Sequence, residues 1–540
     1  MKILKLLSLL LFINSLLLIP QWLSLSNFKT TWIALEAFFI VGLFSALPLN
    51  IWSKTLSRIS STSLTVAFIL IFADTITRES LARPLNLYLD TYLLYSVYEL
   101  LVGTLGSFIA VLTVLCVLIG IVLTIWFLSN LLLPVKYENL SLPNQVLGIV
   151  LIIFSCIGFT NKIIPELKSK TSWPAIQLVI DQAKRYKSTI EEQERFEIEI
   201  ASSPLGYAKL PGLLQQLEGR DVLIAFIESY GEVALYDQRY TPIILPRLRD
   251  LEKRMLNSDL HIATGRFIAP TQGGQSWFSH GSLFSGLWID NQLRYDLLLS
   301  SGRETLIDDF RSAGYRTVAL LPANTRPWPE GKRLGYDEIL ARRDIDYRGP
   351  ALNWVTMPDQ FTWSFLENNI RNPLDRLDNR PLFVELSLIS SHAPWTPILP
   401  MLNDWDSIGN GTVFLPWENA GERPEVLWRD LHRIREHFAL SLEYAINAMT
   451  GYAERYIDDK TLLIVLGDHQ PAPLITGEDA SKSVPMHVIS GEIKLLQPFL
   501  DWGFTNGAFP DPDQPTLKMN TFRDWFIRAF SESSFNLENK

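Results

Sequence analysis

Three short stretches carry residue types that could do chemistry together. Residues 222–227 are an apolar run that ends abruptly in Glu228. Residues 462–466 are another; Gly467 relieves the turn that follows, and then come Asp468 and His469. Between them lies a hydroxyl-rich segment with Ser276, Ser279, Ser282 and Ser285, opened by Gly273-Gly274. In open α/β sheets, ligands bind outside the carboxyl ends of the strands. Glu228 and the Asp468-His469 pair would both stand there. Two carboxylates and an imidazole suit Zn²⁺ or Mn²⁺, with a further position open for a hydroxyl or a substrate. A free serine hydroxyl is a poor nucleophile, and a metal that stabilises its alkoxide removes the need for a general base. Ser276 is the candidate. At a helix N-terminus, unpaired backbone N–H groups would favour an anionic phosphoryl or sulfuryl group there. The plainer alternatives are that Glu228 caps a helix, that Asp468-His469 is a turn, and that Ser276 or a neighbouring serine is an N-cap.

Two of the seven histidines join this set. His280 lies four residues beyond Ser276, one helical turn, so both can face one site. His392 follows the apolar run 381–388 and could bind an anionic oxygen or protonate a leaving group. His432 and His437 are expected on different faces of one helix, in solvent. His261 and His487 lie in or beside strands, as core or edge residues.

The elements that must position these residues follow from the pattern after residue 220. Strands are expected at 221–227, 260–264, 315–320, 381–388, 461–466 and 484–489. Most are continuous apolar runs, as for strands buried on both faces. Helices are expected between them at 243–256, 303–313 and 424–450, the last with Leu427, Leu431, Ile434 and Phe438 at helical spacing. The alternation predicts an open α/β sheet with helices on both faces, an α/β/α sandwich over 220–535.

The chain has 540 residues, room for more than one domain, and a net charge of −9. That charge argues against nucleic acid as a partner, since phosphate binding needs basic patches. Mean hydropathy is slightly positive, +0.13. The apolar excess sits in the first third, in runs near 3–25, 32–52, 63–77, 101–133 and 146–161. About 20 apolar residues are needed to span a bilayer. The run 63–77 is short and carries Asp74. The reading is a retained, multi-pass helical bundle of about five spans over 1–164. Lys2, Lys5, Lys54, Arg58 and Lys136 favour a cytoplasmic N-terminus, which puts everything after about residue 162 outside. Four spans would leave that domain in the cytoplasm. Residues 85–100 suit an interfacial segment. Cys116 and Cys156 lie inside apolar runs and read as neither disulfide partners nor zinc ligands. Residues 165–219 form a linker, with a charged helix at 175–199 expected as a solvated arm.

The motifs together resemble the sulfatase / alkaline phosphatase superfamily over roughly residues 220–530. The sulfatase signature C/S-x-P-S-R-x-x-L-x-T-G is met in register by Ser276, Ser279, Leu283 and Gly286. Phe278 stands for its proline and His280 for its arginine, a departure from true sulfatases. Thr241-Pro242 with Leu245 and Leu248, Gly335-Tyr336-Asp337, His392-x-Pro394 and Gly467-Asp468-His469 also fit. Spans followed by an extracytoplasmic domain resemble lipoteichoic acid synthases and phosphoethanolamine transferases. That resemblance implies one divalent metal ion on Glu228, Ser276, Asp468 and His469, with His392 on the substrate phosphate. It implies Trp328 near the headgroup, although Glu330 stands where a basic partner is expected. Ser229 occupies the place of a second carboxylate, so a two-metal site is not expected. The implied protein is a bacterial cytoplasmic-membrane enzyme that moves a phospho-headgroup from a phospholipid to a glycan or lipid acceptor through Ser276. The rivals are an extracytoplasmic phosphodiesterase or sulfatase-type hydrolase, and a non-catalytic membrane-anchored binding protein.

Overall fold

The computed structural model describes residues 2–24, 31–47, 51–133, 142–159, 170–202, 207, 210–326, 328–372, 378–477 and 479–531. The chain divides into two compact units, Met1–Glu192 and Gln193–Lys540.

The first unit is helical. Among the described residues, two of its helices are long and apolar enough to cross a membrane, Ile51–Leu81 and Ser107–Leu132. The apolar helices Leu6–Trp22, Leu35–Ala46, Tyr92–Leu105 and Gln145–Gly158 are shorter. The five expected spans are therefore not all matched by full-length helices. The run 32–52 yields only the 12-residue helix Leu35–Ala46. The run 63–77, which looked short, lies inside a 31-residue helix. The reason is a buried stripe of Ser53, Ser57, Ser61 and Thr65, one every fourth residue. These small polar side chains dilute the apolar pattern yet are buried on one side of the helix. The Ser57 hydroxyl donates to the Ser129 carbonyl at 2.5 Å. Run 101–133 is broken at Gly106, whose φ of 80° separates two helices.

The charged helix expected at 175–199 is the helix Pro174–Ser202. Its first N–H groups, at Ala175 and Ile176, donate to the Glu36 carboxylate. Leu178, Thr189 and Phe196 are buried. The segment read as a solvated arm thus has a packed side. Of the linker's remaining residues, 165–169 and 203–209 apart from Tyr207 lie outside the described residues.

The second unit is built on a nine-stranded sheet. Its strands are β1 Asp221–Ile227, β2 His261–Ile268, β3 Arg316–Leu321, β4 Glu338–Ala341, β5 Leu382–Leu388, β6 Thr461–Gly467, β7 Ser483–Ser490, β8 Thr505–Asn506 and β9 Leu517–Lys518. The order is β8-β2-β7-β6-β1-β5-β3-β4, with β9 also on β2. Strands β6, β1, β5, β3 and β4 are parallel, and β7 is antiparallel to β6 and β2.

The central strand shows why the sheet is buried on both faces. Leu223, Ala225 and Ile227 enter one core with Ile244, Leu248, Phe438 and Leu442 from the helices Thr241–Asn257 and Leu431–Tyr456. Val222, Ile224 and Phe226 enter the other with Leu283, Phe284, Phe310 and Phe526. Each such side chain removed from water contributes roughly 1.5–3 kcal/mol, so an alternating sheet of apolar residues needs helices on both sides. The helix expected at 424–450 is two, Pro424–Leu427 and Leu431–Tyr456. Asp430 starts the second by accepting from the His432 and Arg433 N–H groups. His432 is exposed, but His437 is not free in solvent: its Nδ1 lies 3.0 Å from the Trp395 carbonyl. His487 is a core residue between the Tyr230 and Thr264 hydroxyls.

Candidate active site

Strand register brings the distant motifs together. Ile227 of β1 pairs with Gly467 of β6 on one side and with Leu388 of β5 on the other. Glu228, Asp468 and the loop carrying His392 therefore leave the sheet side by side, at the carboxyl ends of parallel strands. Glu228, Asp468 and His469 have ligand atoms within 4.8 Å of one another.

The cluster is held by backbone groups. The Ser229 and His469 N–H groups each donate to Asp468 Oδ1 at 2.7 Å. The Ser229 hydroxyl donates to Glu228 Oε1 at 2.8 Å, and Ser229 itself has φ of 57°. His469 Nδ1 is 2.9 Å from the Gln470 carbonyl, which places the proton on Nδ1. The lone pair of Nε2 then faces Glu228 Oε1 and Asp468 Oδ2, each 3.6 Å away. That nitrogen is buried and has no hydrogen-bond partner among the described residues. A buried acceptor without a donor costs about 1–3 kcal/mol. Two carboxylates aimed at the same point make the place fit for a divalent cation.

The charges agree. Burial, and then the negative charge of Glu228, push Asp468 up to about 6. Burial would raise Glu228 too, but the charges of His469 and His392 and the Ser229 hydrogen bond outweigh it and hold Glu228 low. His469 is raised despite its burial, by the two carboxylates. Without a cation Asp468 and His469 hold on to protons that a metal would displace.

Ser276 is the first residue of the helix Ser276–Ser285. The chain reaches it through Gly273, Gly274 and Gln275, at φ of 74°, 148° and 66°. Only glycine takes the first two readily, and the third is a strained non-glycine residue of the kind that clusters at functional sites. The Ser276 hydroxyl lies close enough to the Asp468 carboxyl to act against the rise of its pKa. The other serines have other work. Ser282 Oγ accepts from the Ile289 N–H and Ser285 Oγ from the Leu287 N–H, while Ser279 is buried. None is an N-cap; that position is Gln275.

A cavity of about 520 Å³ opens beyond the strand ends. Glu228, Ser276, His280, Trp328, His392 and Asp468 all line it. His469 stands behind them, 1% exposed. His392 Nδ1 is 2.6 Å from the Ala393 carbonyl, which leaves Nε2 available. Trp328 lies beside Tyr336, ring centroids 6.3 Å apart, and Glu330 lines the cavity with it. Glu385, Tyr295, Phe226 and Asn324 line it too and were not anticipated. Glu385 had a sequence signal, a carboxylate in the middle of the apolar strand β5.

Gly467 is in this place for a reason other than turn geometry. A Cβ there would sit 1.9 Å from the Tyr230 carbonyl oxygen and 3.2 Å from Val484. Gly467→Ala must push β6 away from the Tyr230 backbone, at about 1–3 kcal/mol for an overpacked core. It is expected to lower both the melting temperature and the affinity for a divalent metal, because Asp468 moves with it. Thermal melts with and without metal check this; an unchanged metal affinity would show that the Asp468 position does not depend on that contact.

No protein-family model and no curated protein matches the chain. Solved structures with a similar fold include the lipoteichoic acid synthase LtaP from Listeria monocytogenes, 11% identical over 63% of this chain and 78% of that one, TM-score 0.39. The phosphoglycerol transferase GacH from Streptococcus pyogenes is 13% identical over 64% and 81%, TM-score 0.38. The C-terminal periplasmic domain of EptC from Escherichia coli, solved with Zn, is 12% identical over 57% and 80%, TM-score 0.34.

Proposed function

We propose that this chain is a membrane-anchored, metal-dependent transferase of the bacterial cytoplasmic membrane. It moves a phospho-headgroup from a membrane phospholipid to a glycan or lipid acceptor of the envelope, through a covalent intermediate on Ser276. The multi-pass bundle of residues 1–164 holds it in the membrane, and the domain over 220–535 works on the extracytoplasmic side. The observation that carries the reading is the placement of Ser276. Its hydroxyl stands at a helix N-terminus, against Asp468, in a cavity shared with Glu228, His280 and His392.

Glu228, Asp468 and His469, with Ser276, would hold one Mn²⁺ or Zn²⁺. Such an ion supplies positive charge that makes a serine hydroxyl more acidic and a phosphate easier to attack. Asp468 orients the Ser276 hydroxyl. Ser276 Oγ attacks phosphorus while the phospholipid's ester oxygen leaves; the proton of Ser276 is released to solvent, from which His392 is reprotonated after its own has gone to the lipid oxygen. The N–H groups of the first helical turn face the phosphoryl oxygens. His392, with its Nδ1 anchored, holds the proton that the departing lipid oxygen needs. Trp328 covers the headgroup. The acceptor hydroxyl then takes the headgroup from Ser276.

The test is mass spectrometry of the peptide containing Ser276 after incubation of the full chain with phospholipid vesicles and Mn²⁺ or Zn²⁺. A mass increase on Ser276 equal to a phospho-headgroup is the expected result. An unmodified peptide from protein shown to hold metal would sink the covalent transfer and favour direct hydrolysis by water.

A further inference from the structure

One buried acidic group in the cavity has no part in the reaction as described so far. Glu385 lies in the middle of β5 and is 1% exposed. Both of its oxygens are engaged. Oε1 meets His280 Nδ1, and Oε2 accepts from the Tyr336 hydroxyl. His280 is held from another side by Phe226, whose ring stacks on the imidazole at 3.8 Å between centroids and 12° between planes. Burial, then the charge of Glu385, push the Tyr336 hydroxyl well above its ordinary range, so it stays a donor. The imidazole is thus fixed in position, tilt and tautomer. Its Nδ1–H points at Glu385, and its Nε2 has no hydrogen-bond partner among the described residues. His280 lines the same cavity as Ser276, one helical turn away. A buried carboxylate that orients an imidazole through Nδ1 leaves Nε2 as a proton acceptor; this is the logic of a carboxylate–histidine pair beside a nucleophile.

We propose that His280 is the base of the second half-reaction, taking the proton of the acceptor's hydroxyl, with Glu385 and Tyr336 as its positioning residues. The inference rests on the Ser276 reading above and assigns its missing proton acceptor. In this step the acceptor oxygen forms a bond to phosphorus. The phosphorus bond to Ser276 Oγ breaks, and its electron pair stays on Oγ. The acceptor's proton passes to His280 Nε2 and then returns to Ser276 Oγ, which restores the enzyme. His392 serves the departing lipid and His280 the arriving hydroxyl, so each histidine works in one direction.

The two half-reactions can be read separately. The full chain, with metal, is given phospholipid vesicles alone, and the Ser276 adduct is measured. An acceptor carrying a primary hydroxyl (glycerol or a simple glycoside) is then added, and decay of the adduct is followed. In Glu385→Gln the amide can donate to Nδ1 and force the proton onto Nε2. Adduct formation is expected to stay within about threefold of the unaltered protein, while decay slows by roughly 10²-fold or more, the usual size of a general base effect. The adduct therefore accumulates. Tyr336→Phe is expected to act the same way by a smaller factor, and it serves if Glu385→Gln folds poorly. His280→Ala should slow decay as strongly, and added imidazole should restore part of it, which a purely structural residue would not allow. Decay unchanged in these variants, or formation and decay slowed equally with metal retained, would overturn the assignment while leaving Ser276 as nucleophile. No adduct in the unaltered protein would overturn both.

Discussion

Replacing Ser276 by Ala is expected to lower turnover of a phospholipid donor by at least about 10³-fold, because covalent catalysis loses its nucleophile and not merely a contact. The same change should leave stability within about 0.5 kcal/mol, since Ser276 is only partly buried, at the first position of a helix. Its hydroxyl lies near the Asp468 carboxyl, and Glu228, Asp468 and His469 remain as the cluster that could hold a metal. Ser282→Ala is the contrast. It strands the Ile289 N–H that now donates to Ser282 Oγ at 2.9 Å, a loss of about 1–3 kcal/mol felt in the melt. Release of labelled lipid from vesicles, metal content by elemental analysis and a thermal melt read all three quantities. Activity of Ser276→Ala within tenfold of the original would remove Ser276 from the chemistry.

Asp468→Asn should separate metal binding from folding. Asn Oδ1 can still accept from the Ser229 and His469 N–H groups, the two 2.7 Å bonds that shape the turn. The change removes one of two adjacent buried negative charges. The metal-free variant is therefore expected to melt no lower than the metal-free original at pH 8. The response to metal is the opposite. Metal at a hundredfold its dissociation constant stabilises the original protein by about 2.7 kcal/mol, and the variant should gain less than about 1 kcal/mol under the same conditions. The sign with pH follows from Asp468, raised from 3.8 to about 6 by burial and by Glu228. In the metal-free protein that shift gives stability present below pH 3.8 and lost as pH climbs through about 6. The metal must displace the proton, so its affinity should fall as pH drops below about 6, by up to roughly tenfold per unit. Titration calorimetry at several pH values, with melts beside it, checks both directions. An Asp468→Asn protein that binds metal like the original would rule Asp468 out as a ligand.

Some of this was legible in the residues alone because parallel strands buried on both faces have a plain signature. The runs at 222–227 and 462–466 are continuous and apolar, and Glu228 and Asp468 follow them closely; the run 381–388 is apolar apart from Glu385 and Ser387, and His392 lies four residues beyond it. Strand β2, expected at 260–264, in fact runs His261–Ile268. Gly265 and Arg266 hide the second half, where Arg266 pairs with Glu232 instead of solvent. β4, β8 and β9 gave no apolar run to read. In the helical unit, the helix Ile51–Leu81 was underestimated because its packed face is made of hydroxyls.

The sequence by itself determined which residue types stand where the strands end: Glu228 after β1, Asp468 and His469 after β6, His392 after β5, and a glycine-led Ser276. Those follow from local pattern, since apolar continuity ends where the backbone leaves the core. Only the tertiary structure decided that Ile227 pairs with both Gly467 and Leu388, which sets residues 240 positions apart within bonding distance. It alone showed that Gly467 is needed for the Tyr230 carbonyl, that His437 is tied to Trp395, and that Glu385 anchors His280. Each of these is a contact between elements far apart in the chain. Periodicity along one segment carries no information about register between segments, and it is register that brings Glu228, His392, Asp468 and His469 to one edge of the sheet.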